Sequence, residues 1–207
     1  MERLSARGVL AVFAVGILSL MIGAIADARL STNPANHKKL IDKPLEDSRY
    51  DGAKKCLDSP PKGMLSFEDW LGDNVRGETW GIVRCSSLGG GNLSVHAEGR
   101  ASDWHLDARN AGEQKAANNL IKTLIERDRN GNQSALARRM GVQGIIFDCK
   151  AWWAGQQGLG RYSYCYTDGG KKKDNLDPTA AHIDHIHLEL NWPGARERTS
   201  FWRSPLA

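Results

Sequence analysis

Five of the six histidines fall in two short islands, His96 and His105 in one and His182, His185 and His187 in the other. The first island reads Ser94-Val95-His96-Ala97-Glu98-Gly99-Arg100-Ala101-Ser102-Asp103, a turn bearing His96 followed by a strand that carries Asp103. In the second, His185-Ile186-His187 opens an alternating run. As a strand it turns both imidazoles to one side and Ile186, Leu188 and Leu190 to the core. Imidazole nitrogen and carboxylate oxygen are zinc ligands, and three protein ligands leave a fourth position for water, the arrangement of catalytic rather than structural zinc. His96, Asp103 and His187 supply such a set. Gly99 and Ala101 suit the space between the ligands, because glycine permits a tight turn and small side chains let a neighbouring strand approach.

The elements that must position these residues can be read from periodicity. Ala111 to Arg127 is the clearest helix, with Ala117, Leu120, Ile121, Leu124 and Ile125 on one face and Lys115, Lys122 and Glu126 outside. A shorter helix from Gln133 to Met140 stops at Gly141. Ser66 and Asp69, beside Phe67, Trp70 and Leu71, suggest a capped short helix near the start of the domain. Strands are expected at Thr79 to Arg84, Val142 to Phe147, Tyr162 to Tyr166 and His185 to Leu190. Strands before and after a helical segment, with connections suited to antiparallel pairing, give an α+β fold with a single small antiparallel sheet and flanking helices.

The 207 residues leave room for one ordinary domain plus a targeting segment. Arg3 and Arg7 precede an apolar stretch from Val9 to Ile25, and Ala24-Ile25-Ala26 supplies the small residues of a cleavage site. Residues 1–26 therefore read as a secretory signal peptide, with an uncleaved signal anchor tying the protein to a membrane as the alternative. Residues 27–63 are polar and carry Asn33, Lys38, Lys39 and several prolines, which suggests a linker. The four cysteines all lie in the exported part, where two disulfides are expected. Sequence proximity favours Cys56 with Cys85 and Cys149 with Cys165. A four-cysteine zinc site is disfavoured by the lack of any C-x-x-C pair. Net charge is +4, and the one clear basic run, Lys171 to Lys173, stands alone without interleaved aromatics. That argues against a nucleic-acid partner.

The run Ser94 to Asp103 matches the S-x-H-x-x-G-x-A-x-D signature of D-alanyl-D-alanine carboxypeptidases and endolysin peptidases, and His185-x-His187 matches their later H-x-H. The chain thus resembles zinc peptidases of the hedgehog/DD-peptidase fold over about Thr79 to Trp192. The resemblance implies His96, Asp103 and His187 as Zn2+ ligands and residues 64–207 as the peptidase-like domain. Asp184, three residues before His187, resembles the acidic general base, with His185 as the fallback. Arg84 resembles an arginine that steadies substrate or oxyanion, although a surface salt bridge would explain it as well. The implied reaction is hydrolysis of a peptidoglycan stem-peptide or cross-link bond by water at the zinc, whose pKa the metal lowers to about 7. The implied protein is secreted or held in the cell envelope and works as a monomer on its peptidoglycan peptide substrate.

A rival from another class is a zinc-containing wall-binding or signalling module that hydrolyses nothing. Several neighbours stay open on residue type alone. His105 reads as a surface residue rather than a support for the ligands, and His182 reads either way. Trp152 and Trp153 could line a groove, although core packing is favoured. Glu189, on the same alternating face as His187, is either a hydrogen-bond partner of a ligand imidazole or a solvent-facing carboxylate.

Overall fold

The computed structural model describes residues 44–89 and 91–204. The signal segment and the first part of the polar stretch lie outside the described residues. Helix α1 (Lys62–Asn74) follows Pro60-Pro61 and buries Met64, Phe67, Trp70 and Leu71 at helical spacing. Proline suits the entry to a helix, because its missing N–H falls where no intrahelical partner exists. The helix thus starts a turn before Ser66, whose hydroxyl donates to Glu197 instead of capping an end.

Three short strands come next, β1 (Thr79–Gly81), β2 (Ser87–Gly89) and β3 (Asn92–Leu93), then a 3-10 turn over Val95–Glu98 and strand β4 (Ala101–His105). The strand expected from Thr79 to Arg84 stops at Gly81. There φ is +137°, outside the strand region for L residues, and the pairing register with β4 shifts. Helices α2 (Ala111–Ile125) and α3 (Ala135–Met140) follow. Asn110 caps α2, and Gly141 closes α3 in the left-handed conformation. The chain then forms β5 (Val142–Phe147), β6 (Lys150–Trp153), β7 (Gly160–Arg161), β8 (His185–Leu190) and the single-turn helix α4 (Trp192–Ala195).

Residues 162–166 do not form the expected strand. The edge pairing with β6 is taken by Gly160 and Arg161. The chain then winds into a 3-10 turn at Ser163–Cys165, where Cys165 N–H donates to the Tyr162 carbonyl and Cys165 is bridged to Cys149. The alternating tyrosines imitate strand periodicity, but the disulfide draws the segment inward.

The result is α+β: one six-stranded, wholly antiparallel sheet in the order β1-β4-β8-β5-β6-β7, with β2 and β3 paired apart from it. One face of the sheet, with Trp104, Ile145, Ile186, Leu188 and Leu190, joins Phe67, Leu71, Leu120 and Leu124 of the helices in the main core. Trp152 is fully buried in the same core. Strand β8 lies in the middle of the sheet, and all six of its residues are buried. The pairings Asp103 with His187 and Ile146 with His187 put that histidine at the centre of the sheet.

The described part of the polar stretch, 44–63, is stitched to the domain rather than free of it. Asp51 bonds Gln143 and Trp192, Lys54 N–H donates to Glu98, Leu57 N–H donates to Ala97, and Cys56 is bridged to Cys85. Backbone N–H groups of this stretch, together with the Asp51 carboxylate, pair with polar groups of the domain, contacts that composition alone does not reveal.

Candidate metal centre

His96 sits in the 3-10 turn that joins β3 to β4. Ser94 accepts the His96 N–H at the start of that turn, and Gly99 ends it at φ +61°. A Cβ at Gly99 would lie 2.7 Å from the Pro60 Cα, so this position needs glycine for both conformation and space. Arg100, fully buried, locks the turn down: it forks onto Glu98 and donates to the carbonyls of Leu190 and Asp51. Three residues on, β4 presents Asp103 directly opposite His187.

These three side chains converge. His96 Nε2 lies 3.1 Å from Asp103 Oδ1 and 3.1 Å from His187 Nδ1, and His187 Nδ1 lies 2.9 Å from Asp103 Oδ1. All three residues are buried, and their ligand atoms lie within 4.8 Å of one another, so they could hold a metal ion. The outer nitrogens explain why. His96 Nδ1–H donates to the Ile82 carbonyl at 2.6 Å, and His187 Nε2–H donates to Glu189 Oε1 at 3.0 Å. With those protons committed outward, the inward nitrogens of the neutral imidazoles present lone pairs beside a carboxylate oxygen, and a charged ring donates to that oxygen instead. Three acceptors facing one another need a cation or protons between them. A tetrahedral ion with bonds of about 2.0 Å holds its ligands about 3.3 Å apart, close to the spacing found.

Electrostatics follow the same geometry. Burial opposes ionisation of Asp103, but hydrogen bonds from His185, His187 and His96 outweigh it and hold the carboxyl far below its usual range. Burial likewise opposes charge on His187, yet Asp103 and Glu189 on its two nitrogens raise it to about 9.

The other sequence candidates lie around this centre. His185 Nε2 is 3.4 Å from Asp103 Oδ1, while its Nδ1–H donates to Asp184 Oδ1 at 2.8 Å. Asp184 precedes the first residue of β8 and belongs to a bend. That frees it from strand alternation. Its second oxygen accepts from Thr179. Arg84, largely exposed, places Nη1 3.3 Å from Asp103 Oδ2. His105, paired with His185 across β4 and β8, stacks on Trp80 with ring centroids 4.4 Å apart. His182, at φ +53°, packs against His185 at 4.8 Å, His187 at 5.5 Å and Tyr162 at 5.1 Å. Burial first, then the neighbouring histidines, push it down to about 2, so it stays neutral.

Sequence reasoning missed the Ile82 carbonyl, Thr179 and Gln143. Backbone carbonyls leave no mark on residue type. Gln143 left one: it is the only polar side chain in the apolar run of β5, and it is fully buried. Compared with protein families, curated proteins and solved structures, the chain matches none.

Proposed function

We propose that this is an exported zinc peptidase of the hedgehog/DD-peptidase kind, hydrolysing a stem-peptide or cross-link bond of peptidoglycan. The observation that carries the reading is the convergence of two imidazole lone pairs and one carboxylate oxygen, with a further histidine, His185, beside them. His96, Asp103 and His187 would hold the ion. Zinc, when bound, supplies a Lewis acid for the scissile carbonyl and lowers the pKa of a water toward 7.

The chain's own residues do the rest. His185, with Nδ1–H committed to Asp184, presents Nε2, 3.4 Å from Asp103 Oδ1, to take the proton of the attacking water. It returns that proton to the leaving amine as the C–N bond breaks and the new C–O bond forms. Both Asp184 oxygens are occupied, by His185 and Thr179, so Asp184 acts as the partner that orients and charges the base. Arg84 stands by Asp103 with an exposed guanidinium and is suited to balance negative charge on the carbonyl oxygen. Trp80, about half exposed and 6.0 Å from His185 between ring centroids, offers a flat apolar wall beside the centre.

The two disulfides fit an oxidising, extracytoplasmic compartment. Among the described residues, no helix is long and apolar enough to cross a membrane.

A non-hydrolytic metal module is the second reading, favoured by the burial of all three ligands. Digestion of purified peptidoglycan with and without chelator, read by mass spectrometry, separates the two. Chelator-sensitive release of peptide fragments is the expected result. Bound zinc without any such product would leave the binding module.

A further inference from the structure

Glu189, left open by residue type alone, is a hydrogen-bond partner of His187. It is buried on β8, two residues beyond His187, and both its oxygens are engaged: Oε1 accepts His187 Nε2–H at 3.0 Å and Oε2 accepts Gln143 Nε2–H at 3.2 Å. Gln143 could in principle present either end of its amide to Glu189. What settles the choice is the backbone of Asp51, whose N–H donates to Gln143 Oε1 at 2.8 Å and whose carbonyl accepts from Nε2 at 3.2 Å. Because the amide oxygen is held by Asp51, the NH2 must face Glu189. Tyr50, next in the chain, turns its phenol to the same carboxylate and packs its ring edge-on against Trp153 at 5.6 Å. Gly144 makes room: a Cβ there would meet Glu189 Oε2 at 2.8 Å.

The stretch that holds Gln143 is itself tied down at several points. Arg100 donates to the Asp51 carbonyl, Asp51 Oδ2 accepts the Trp192 N–H, Lys54 N–H donates to Glu98, and Cys56 is bridged to Cys85 beside Arg84.

We infer that the arm from Tyr50 to Cys56 is a positioning element of the metal centre. Through Gln143 it fixes Glu189, and Glu189 fixes His187 with Nδ1 toward His96 and Asp103. Without this clamp, His187 is free to carry its neutral-state proton on Nδ1, pointing that proton where a ligand lone pair is needed. The inference rests on the proposed function only in that a metal ion sits among the three ligands.

Zinc titration of the full chain by calorimetry, with thermal melts as a control for folding, tests it. Glu189→Ala should weaken zinc binding 10- to 100-fold. Glu189→Gln, which keeps an oxygen for His187 Nε2–H, should recover most of the loss. Tyr50→Phe should weaken binding a few-fold while leaving the melt nearly unchanged, and it keeps the test open should Glu189→Ala fail to fold. Leu71→Ala, in the core on the opposite face of the sheet, should lower the melting temperature and leave zinc affinity alone. In the zinc-loaded wild type, 15N shifts should show His187 protonated at Nε2 only. Failure of the wild type to bind zinc would overturn both this inference and the proposed function. Zinc binding by wild type, Glu189→Ala and Tyr50→Phe with equal affinity would overturn this inference alone, as would a His187 proton found at Nδ1.

Discussion

Asp103 concentrates the chemistry of this molecule in one carboxylate, with Oδ1 facing three imidazoles and Oδ2 facing Arg84. His187 is altered by that arrangement. Its pKa rises from 6.5 to about 9 because the fold favours the proton between Asp103 and Glu189. In metal-stripped protein this raised pKa stabilises the fold, on the order of 3 kcal/mol. The stabilisation is fully present below pH 6.5 and is lost as pH rises through 9. Thermal melts of chelator-treated protein should therefore fall between those pH values, and a flat profile would remove His187 as the cause. Metal ligation needs the lone pair that this proton occupies. Zinc affinity should thus climb with pH between 7 and 9, by up to about tenfold per unit, with proton release measurable in weakly buffered titrations. If the protein is the proposed peptidase, His185 separates hydrolysis from binding. His185→Ala should retain zinc and lose at least 100-fold in turnover of peptidoglycan fragments, whereas full turnover by that variant would disqualify it as the base.

At the scale of elements, the site depends on a turn and two neighbouring strands. The 3-10 turn at Val95–Glu98 closes on Gly99, where the backbone is left-handed and Pro60 leaves no room for a side chain. Gly99→Ala should cost about 1–3 kcal/mol and should loosen zinc along with the fold, since His96 is carried by the turn that Gly99 ends. Denaturant unfolding with and without zinc reads both effects, and equal stability to wild type would count against this account. Strands β5 and β8 were legible in the sequence to the residue, because buried strands at the middle of a sheet carry unbroken or strictly alternating patterns. The turn around His96 was legible from the glycine and small residues between the ligands. What escaped was set by contacts distant in the chain. Residues 162–166 alternate like a strand yet are bent by a bridge to Cys149, and the arm at 44–57 reads as a linker because its polar groups meet buried partners that no local pattern reveals. Asp184 stands in a bend one residue before β8, and that position lets its carboxylate reach the His185 ring.

On the scale of the whole molecule, the two disulfides divide the labour. Cys56–Cys85 ties the arm to the segment carrying Arg84, and both its cysteines are exposed. Cys149–Cys165 lies in a separate small cluster with Ala181 and is buried. Their sequence separations, 29 and 16 residues, correspond in the chain-entropy account to roughly 3.5 and 3 kcal/mol of stabilisation. By stability alone the two bridges are near equals. Their effects on the metal centre should differ, because only the first fastens the arm that orients Gln143 and, through it, Glu189 and His187. Replacing Cys56 and Cys85 by alanine should lower stability by roughly 3.5 kcal/mol and weaken zinc binding about tenfold. The matching double replacement of Cys149 and Cys165 should cost similar stability while changing zinc affinity less than about twofold, because no residue of the clamp touches that bridge. Mild reduction should reproduce the first phenotype before the second, since the thiol reagent reaches the exposed bridge first. Denaturant unfolding paired with zinc titration on both double variants decides the matter. Loss of zinc affinity in step with stability for both variants would mean that the centre responds to global stability alone, and that the arm has no separate hold on it.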